Sequence, residues 1–343
     1  MTRRQQLCWA FCAASVPAVM ICAGLGWTRV LAGSAAAACV YAALLLPGKR
    51  AGRYAENLIR LFGPVGKTLL WLTALWTVLA AGRALSVAQR AFPEDQTHLL
   101  CAISLTALSA FAAWKGRRTG ARCMGLFAMG LGALYFLLTL AALGSVRQSW
   151  CAPWGGRGDT LTAFCAMLTP SAALLLPPEK EDGRFPLGAL ALLTFCPAGA
   201  ALLTSGCLSP QVAQSEQIAF YTLAKSLSIL SVVQRAEPIV SAALYLGLFS
   251  LVTFLTQAGA SAAAQAVGEK EKRGFCLAAN ALAFALSFAV GRLPEAFWAG
   301  GTSIFWGLLP LVTQFVGGAK KYCKKTKKVV DKPETRGYND QAF

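Results

Sequence analysis

The sequence predicts an all-α integral membrane protein of ten transmembrane helices, arranged as a 5+5 inverted repeat in which helices 1 and 6 are broken. Three observations carry this. Of 343 residues, 56% are hydrophobic and 14% charged, where soluble domains carry about 25% charged residues. Ten apolar runs approach the roughly 20 residues that cross a bilayer. The basic residues between the runs alternate between dense and sparse, as the positive-inside rule requires of a correct count.

In chain order the first run, 7–26, follows the basic start "MTRRQQL". It is about as long as a bilayer is thick, so it reads as a span and not as a signal peptide. The second, 30–46, ends at "PGKR". The third, 65–92, and the eighth, 238–267, are the long ones at roughly 28 and 30 residues, and long spans tilt. The fourth, 99–114, and fifth, 124–144, flank the basic loop "WKGRRTGAR". The sixth, 161–176, stops at "PPEKEDGR", and the seventh is 187–208. The ninth, 275–290, and tenth, 299–317, complete a domain over 1–318, with repeats at about 5–145 and 159–318. A basic tail occupies 319–343.

With the N-terminus cytoplasmic, 24 Lys and Arg residues fall on the inner side and seven on the outer side. Both termini are then cytoplasmic. The same distribution explains the net charge of +17: basic loops set topology and meet anionic headgroups, and nucleic acid is not implied. The tail "KKYCKKTKKVVDK" reads first as a topology anchor and second as a lipid-binding segment. Twelve cysteines without a CxxC pair, most inside apolar runs, read as small apolar filler. With a single histidine, His98, no metal site or cofactor is expected. No nucleophile, base and orienting group fall together, so an enzyme is not expected either.

Two prolines occupy matching positions in the halves, Pro17 in "AASVPAVM" and Pro170 in "AMLTPSAAL". Each deletes a backbone hydrogen bond, and paired interrupted helices point to a mid-membrane binding site. The candidate ligand-binding residues are therefore Ser15, Val16 and Pro17 on span one and Thr169, Pro170 and Ser171 on span six, with Arg83 on span three and Thr253 on span eight. Arg83 is left over inside a run, while Lys67 and Arg90 stand at the ends of the same run and count with the inner and outer loops. It has two readings: snorkelling to the surface, or facing the bundle to pair with a ligand carboxylate or with a carboxylate such as Glu237.

Between spans seven and eight lies "FYTLAKSLSILSVVQRAEP", whose Phe220, Leu223, Leu227 and Leu230 form one apolar helix face. Such a helix is expected to lie flat over the outer mouth of a site made by spans one and six. Its "YTLAKSLSI" and "VVQRAEPIV" resemble the spore germination permease family, the membrane B subunits of GerA-type germinant receptors in the amino acid–polyamine–organocation superfamily with its LeuT-like fold. Tyr221, Lys225, Ser228, Arg235 and Glu237 fall on that pattern. "TRRQQL", "WKGRRTGAR" and "GLLPLV" followed by "KKYCKKTKK" are similar in layout. The chain departs from the family in four places. Span six lacks the usual glycine and glutamate, Ser86 stands where an acid follows the span-three arginine, Lys225 replaces arginine, and Pro238 follows Glu237.

The resemblance implies a germinant-receptor membrane subunit in the bacterial cell membrane or inner spore membrane. It would bind a small ligand, an amino acid first, between spans one, three, six and eight, and signal germination through a conformational change read by A and C type subunits. The alternative on the same fold is an amino acid permease coupled to protons or sodium. The lack of deep acidic residues in the spans weighs against protons.

Overall fold

Entry into the first helix is fixed by a reciprocal cap. Thr2 Oγ1 accepts from the Gln5 amide at 3.3 Å while Gln5 Oε1 accepts from the Thr2 amide at 3.0 Å, which satisfies two of the donors that a helix start leaves open. The structure is a computed structural model that describes residues 2–45, 54–91, 97–153, 157–177, 187–216, 218–226, 237–269 and 273–316. Among these residues there is no β-strand.

The helices are α1 (Arg3–Cys22), α2 (Trp27–Leu45), α3 (Tyr54–Phe62), α4 (Pro64–Ala91), α5 (Thr97–Lys115), α6 (Arg117–Leu143) and α7 (Arg157–Leu168). A 3-10 segment, Thr169–Leu175, continues α7. Then come α8 (Leu187–Leu208), α9 (Pro210–Ser215), α10 (Ala219–Ser226), α11 (Glu237–Val267), α12 (Arg273–Val290) and α13 (Glu295–Thr302). The last passes into a π-helical segment, Ser303–Leu308, and stays helical to residue 316. Among the described residues seven helices are long and apolar enough to cross a membrane: α1, α2, α4, α8, α11, α12 and the helix that α13 opens. The apolar parts of α5, α6 and α7 with its 3-10 extension are shorter, at 10–17 residues each.

Turn chemistry sets two of the junctions. Gly63 has φ +57°, and its amide donates to the Ile59 carbonyl at 2.7 Å, which stops α3; Pro64 then starts α4, where a missing N–H costs nothing. Gly116, at φ +96°, separates α5 from α6.

The first expected break does not occur. Pro17 lies inside an uninterrupted α1. Ser15 Oγ donates to the Cys12 carbonyl at 2.8 Å one turn before it. The sixth helix does change. At Thr169–Pro170 the α-helix tightens to 3-10, and the chain turns extended at Leu176. Proline sits comfortably in the first turn of this new segment because no intrahelical partner is needed there.

Packing explains the glycines. Between apolar helices in lipid there is no hydrophobic drive, so close approach through small residues is decisive. A Cβ at Gly33 of α2 would lie 2.5 Å from the Thr160 carbonyl of α7. One at Gly82 of α4 would lie 3.0 Å from the Ala283 carbonyl of α12, and one at Gly259 of α11 would lie 3.2 Å from the Ala74 carbonyl of α4. Aromatic hydroxyls add ties: Tyr41 donates to the Met167 carbonyl (2.7 Å), Tyr135 to the Cys196 carbonyl (2.8 Å) and Tyr245 to Ser104 Oγ (2.7 Å). Thus α1 packs on α8 and α11, α2 on α7 and α8, and α4 on α11 and α12.

At the α1–α11 crossing a Cβ on Gly247 would meet Val16 Cγ1 at 2.5 Å. Gly247→Ala is expected to destabilise the protein by about 1–3 kcal/mol, the usual cost of overpacking. Because the nearest obstacles are Cγ1 and Cβ of Val16, the latter at 2.7 Å, adding Val16→Gly, which removes both, should recover part of the loss. Melting curves of the two single variants and the double variant in detergent measure this.

Candidate ligand-binding site

The second half of α1, the end of α4, α7, the first half of α11 and α13 enclose a cavity of about 320 Å³. That is within the range of small-molecule pockets, about 300–1,000 Å³. Its walls are apolar, with Leu244, Leu248, Leu251 and Leu255 of α11 along one side. Polar groups are few: Thr162, Cys165, Thr169, Thr302 and one ion pair.

The ion pair sets the character of the cavity. Arg83 Nη2 donates to both carboxylate oxygens of Glu295, at 2.6 and 2.8 Å. Arg83 is 32% exposed and Glu295 69%, so the pair stands at the mouth and not in the interior. The guanidinium lies over Trp298, 4.8 Å from the ring centroid, which adds a cation–π attraction. Glu295 occupies the first turn of α13, where free backbone N–H groups favour a carboxylate. Of the two readings of Arg83, the bundle-facing one fits this geometry, and its partner among the described residues is Glu295.

Below the mouth, Trp76 is ringed by Phe297, Trp298 and Phe305 at 5.2–5.7 Å between centroids. Its ring lies against Gly301, where a Cβ would overlap it. Trp306, in the π-helical segment, donates Nε1–H to Thr77 Oγ1 at 3.4 Å. A π-turn widens the helix by one residue and is common at functional sites. Here it carries Trp306 onto the cavity wall, one turn after Thr302 of α13.

Beyond the Leu255 end of the cavity lies a polar clasp about two carbonyls at the end of the 3-10 segment. Gln265 Nε2 (2.8 Å) and Ser261 Oγ (3.1 Å) donate to the Leu175 carbonyl. Gln6 Nε2 (3.0 Å) and Arg117 Nη1 (3.3 Å) donate to the Pro177 carbonyl, and Arg117 Nη2 donates to Ser261 Oγ at 3.1 Å. Four elements, α1, α6, α11 and the 3-10 segment, therefore meet at one point. The clasp begins six residues along α11 beyond Leu255, or about 9 Å at 1.5 Å per residue. Arg117→Ala is expected to loosen the segment that ends at Pro177. Amide hydrogen exchange over residues 173–177 should rise at least tenfold, with exchange in α4 unchanged.

The predicted residues divide. Pro17, Arg83 and Thr169 line the cavity. Ser15 and Val16 do not; they face a second, smaller cleft on the other side of α1. Helical geometry is the reason, since adjacent residues point about 100° apart and one triplet cannot all serve one side. Pro170 and Ser171 are buried in the 3-10 segment and do not line the cavity. Thr253 is fully buried on α11 and lies off the wall, its hydroxyl unpartnered among the described residues.

The short helix α10 corrects a further expectation. Phe220 and Leu223 are buried as its apolar spacing predicts, but Phe220 lines the smaller cleft, and no residue of α10 lines the larger cavity. Tyr221 and Lys225 face outward together, with the ammonium 4.8 Å from the ring centroid. Ser228, Arg235 and the side chain of Glu237 lie outside the described residues.

Sequence reasoning missed Glu295 and Trp298. Starting the tenth run at 299 left both in a loop. The signal was available in "PEAFW": a proline at the cap and an acid in the first turn mark a helix start. No protein-family model matches the chain, and no curated protein is significantly similar to it.

Proposed function

We propose that this chain is a membrane receptor subunit of the germinant-receptor type, which takes a small zwitterionic ligand, an amino acid, into the cavity between its first, third, sixth and eighth spans. The observation that carries the reading is the cavity itself, with Arg83 and Glu295 at its mouth over Trp298. A ligand carboxylate would exchange for Glu295 on Arg83, and its ammonium for Arg83 on Glu295. Binding would favour one of two conformers, and A and C type partner subunits would read the change; a tenfold response needs about 1.4 kcal/mol of differential affinity. Ten crossings, with both ends cytoplasmic, belong to this proposal.

Contacts consistent with a five-helix repeat support the architecture. The first span packs on the seventh as the sixth packs on the second, and the third packs on the ninth as the eighth packs on the fourth. A second reading, an amino acid permease, is favoured by the closed clasp opposite an open mouth, which is how one end state of a carrier is built. Two experiments decide. Calorimetry of the purified chain in nanodiscs against the twenty amino acids should find at least one that binds; none binding defeats the receptor reading. Concentrative uptake by proteoliposomes holding this chain alone would favour the carrier.

A further inference from the structure

We propose that the smaller cleft behind α1 is a binding site for a phospholipid acyl chain. It has a volume of about 140 Å³ and is walled by α1, α6, α8, α10 and α11. Its floor is Val19, Met20, Leu138 and Val240, all buried. Among the described residues no charged one lines it. The two hydroxyls on its wall are already committed, Ser15 to the Cys12 carbonyl and Tyr135 to the Cys196 carbonyl. Water entering the cleft would find, among the described residues, no free hydroxyl and only the weak thiol donor of Cys196, and an apolar cavity of about 150 Å³ stays dry and takes guests the size of benzene. The space therefore fits an apolar group of about six carbons.

The mouth identifies the guest. Gly132 of α6 and Leu192 of α8 are exposed at its edge, on two apolar helices whose outer faces carry Phe136 and Phe195, each more than 60% exposed. In a membrane-embedded bundle such faces meet hydrocarbon, so the apolar material at the opening is the lipid tail. Gly132 keeps the entrance clear: a Cβ there would meet nothing within 4 Å. At one end Phe220 of α10 stacks on Tyr135, 6.3 Å between centroids and 14° between planes, which closes the cleft on that side. Met20 lines both this cleft and the larger cavity. A seated tail thus presses on a side chain that a ligand in the larger cavity also touches.

Photolabelling tests the proposal. The full chain is reconstituted in nanodiscs with a phosphatidylcholine that carries a diazirine near the end of one acyl chain, and labelled residues are mapped by mass spectrometry. Leu134, Tyr135, Leu138, Leu192 and Cys196, which line the cleft, should be labelled at least fivefold above the lipid-facing surface at Phe111 and Phe288. Gly132→Phe, which plugs an open entrance, should reduce that labelling to the surface level, and Leu138→Ala, which enlarges the floor, should raise it. Labelling no higher than at Phe111 and Phe288 overturns the proposal, as does labelling unaffected by both substitutions. Should Gly132→Phe fail to fold, Leu131→Phe tests the same entrance.

Discussion

Gly33→Leu is expected to abolish recovery of folded protein in mild detergent. A side chain at position 33 would have to enter space held by backbone, with its first carbon 2.5 Å from the Thr160 carbonyl oxygen, 2.9 Å from the Phe164 nitrogen and 3.0 Å from Ala163 Cβ. Backbone atoms within a helix cannot step aside as the tip of a side chain can, so α2 would have to lift away from α7 as a unit. Lifting it would break the bond from Tyr41 to the Met167 carbonyl. Overpacking costs about 1–3 kcal/mol where side chains can adjust, and the cost here is expected at or above the upper end. Size-exclusion profiles of tagged variants measure it. Gly132→Leu is the control, because the same change at an open position should give a wild-type profile. A monodisperse Gly33→Leu protein with an unchanged melting temperature would refute the packing described for α2 and α7.

The second large effect is expected at Arg83, and it should separate binding from stability. The Arg83–Glu295 pair is partly solvated, so its contribution to folding is screened and expected below about 1 kcal/mol. Arg83→Gln should then leave the melting temperature nearly unchanged. The same variant removes the only charged donor on the cavity wall among the described residues, and amino acid affinity should fall at least tenfold, about 1.4 kcal/mol. Glu295→Gln should weaken binding as well, but for a different reason: it frees Arg83 while removing the partner for an ammonium group. Ligands that lack the ammonium should therefore bind Glu295→Gln better than Arg83→Gln. Calorimetry with an amino acid and its deaminated analogue on both variants reads the difference. Equal losses for both ligands would mean that the pair only holds α13 against α4.

Much of the helical framework was legible because hydropathy and proline or glycine punctuation act locally. Each of the ten apolar runs overlaps a helix among the described residues, seven of them long and apolar enough to cross a membrane. The site was legible only in part. Pro17, Arg83 and Thr169 were found because an interrupted or charged residue in an apolar run is visible without knowing its neighbours. Which side of α1 faces the cavity was not visible, since "VPAVM" is apolar all round, and Ser15 and Val16, grouped with Pro17 in the sequence, line the smaller cleft. The partner of Arg83 was also hidden, because 212 positions in the chain separate it from Glu295 and only tertiary packing brings them together.

The wide turn at Ser303–Leu308 takes up one extra residue within the last helix. In a regular α-helix one residue more or fewer rotates everything downstream by about 100°. Removing a single residue from the wide turn would instead restore regular winding and leave the stretch to 316 facing its present neighbours. The turn is therefore the one point of this helix where a deletion is expected to be absorbed and not passed on as a rotation.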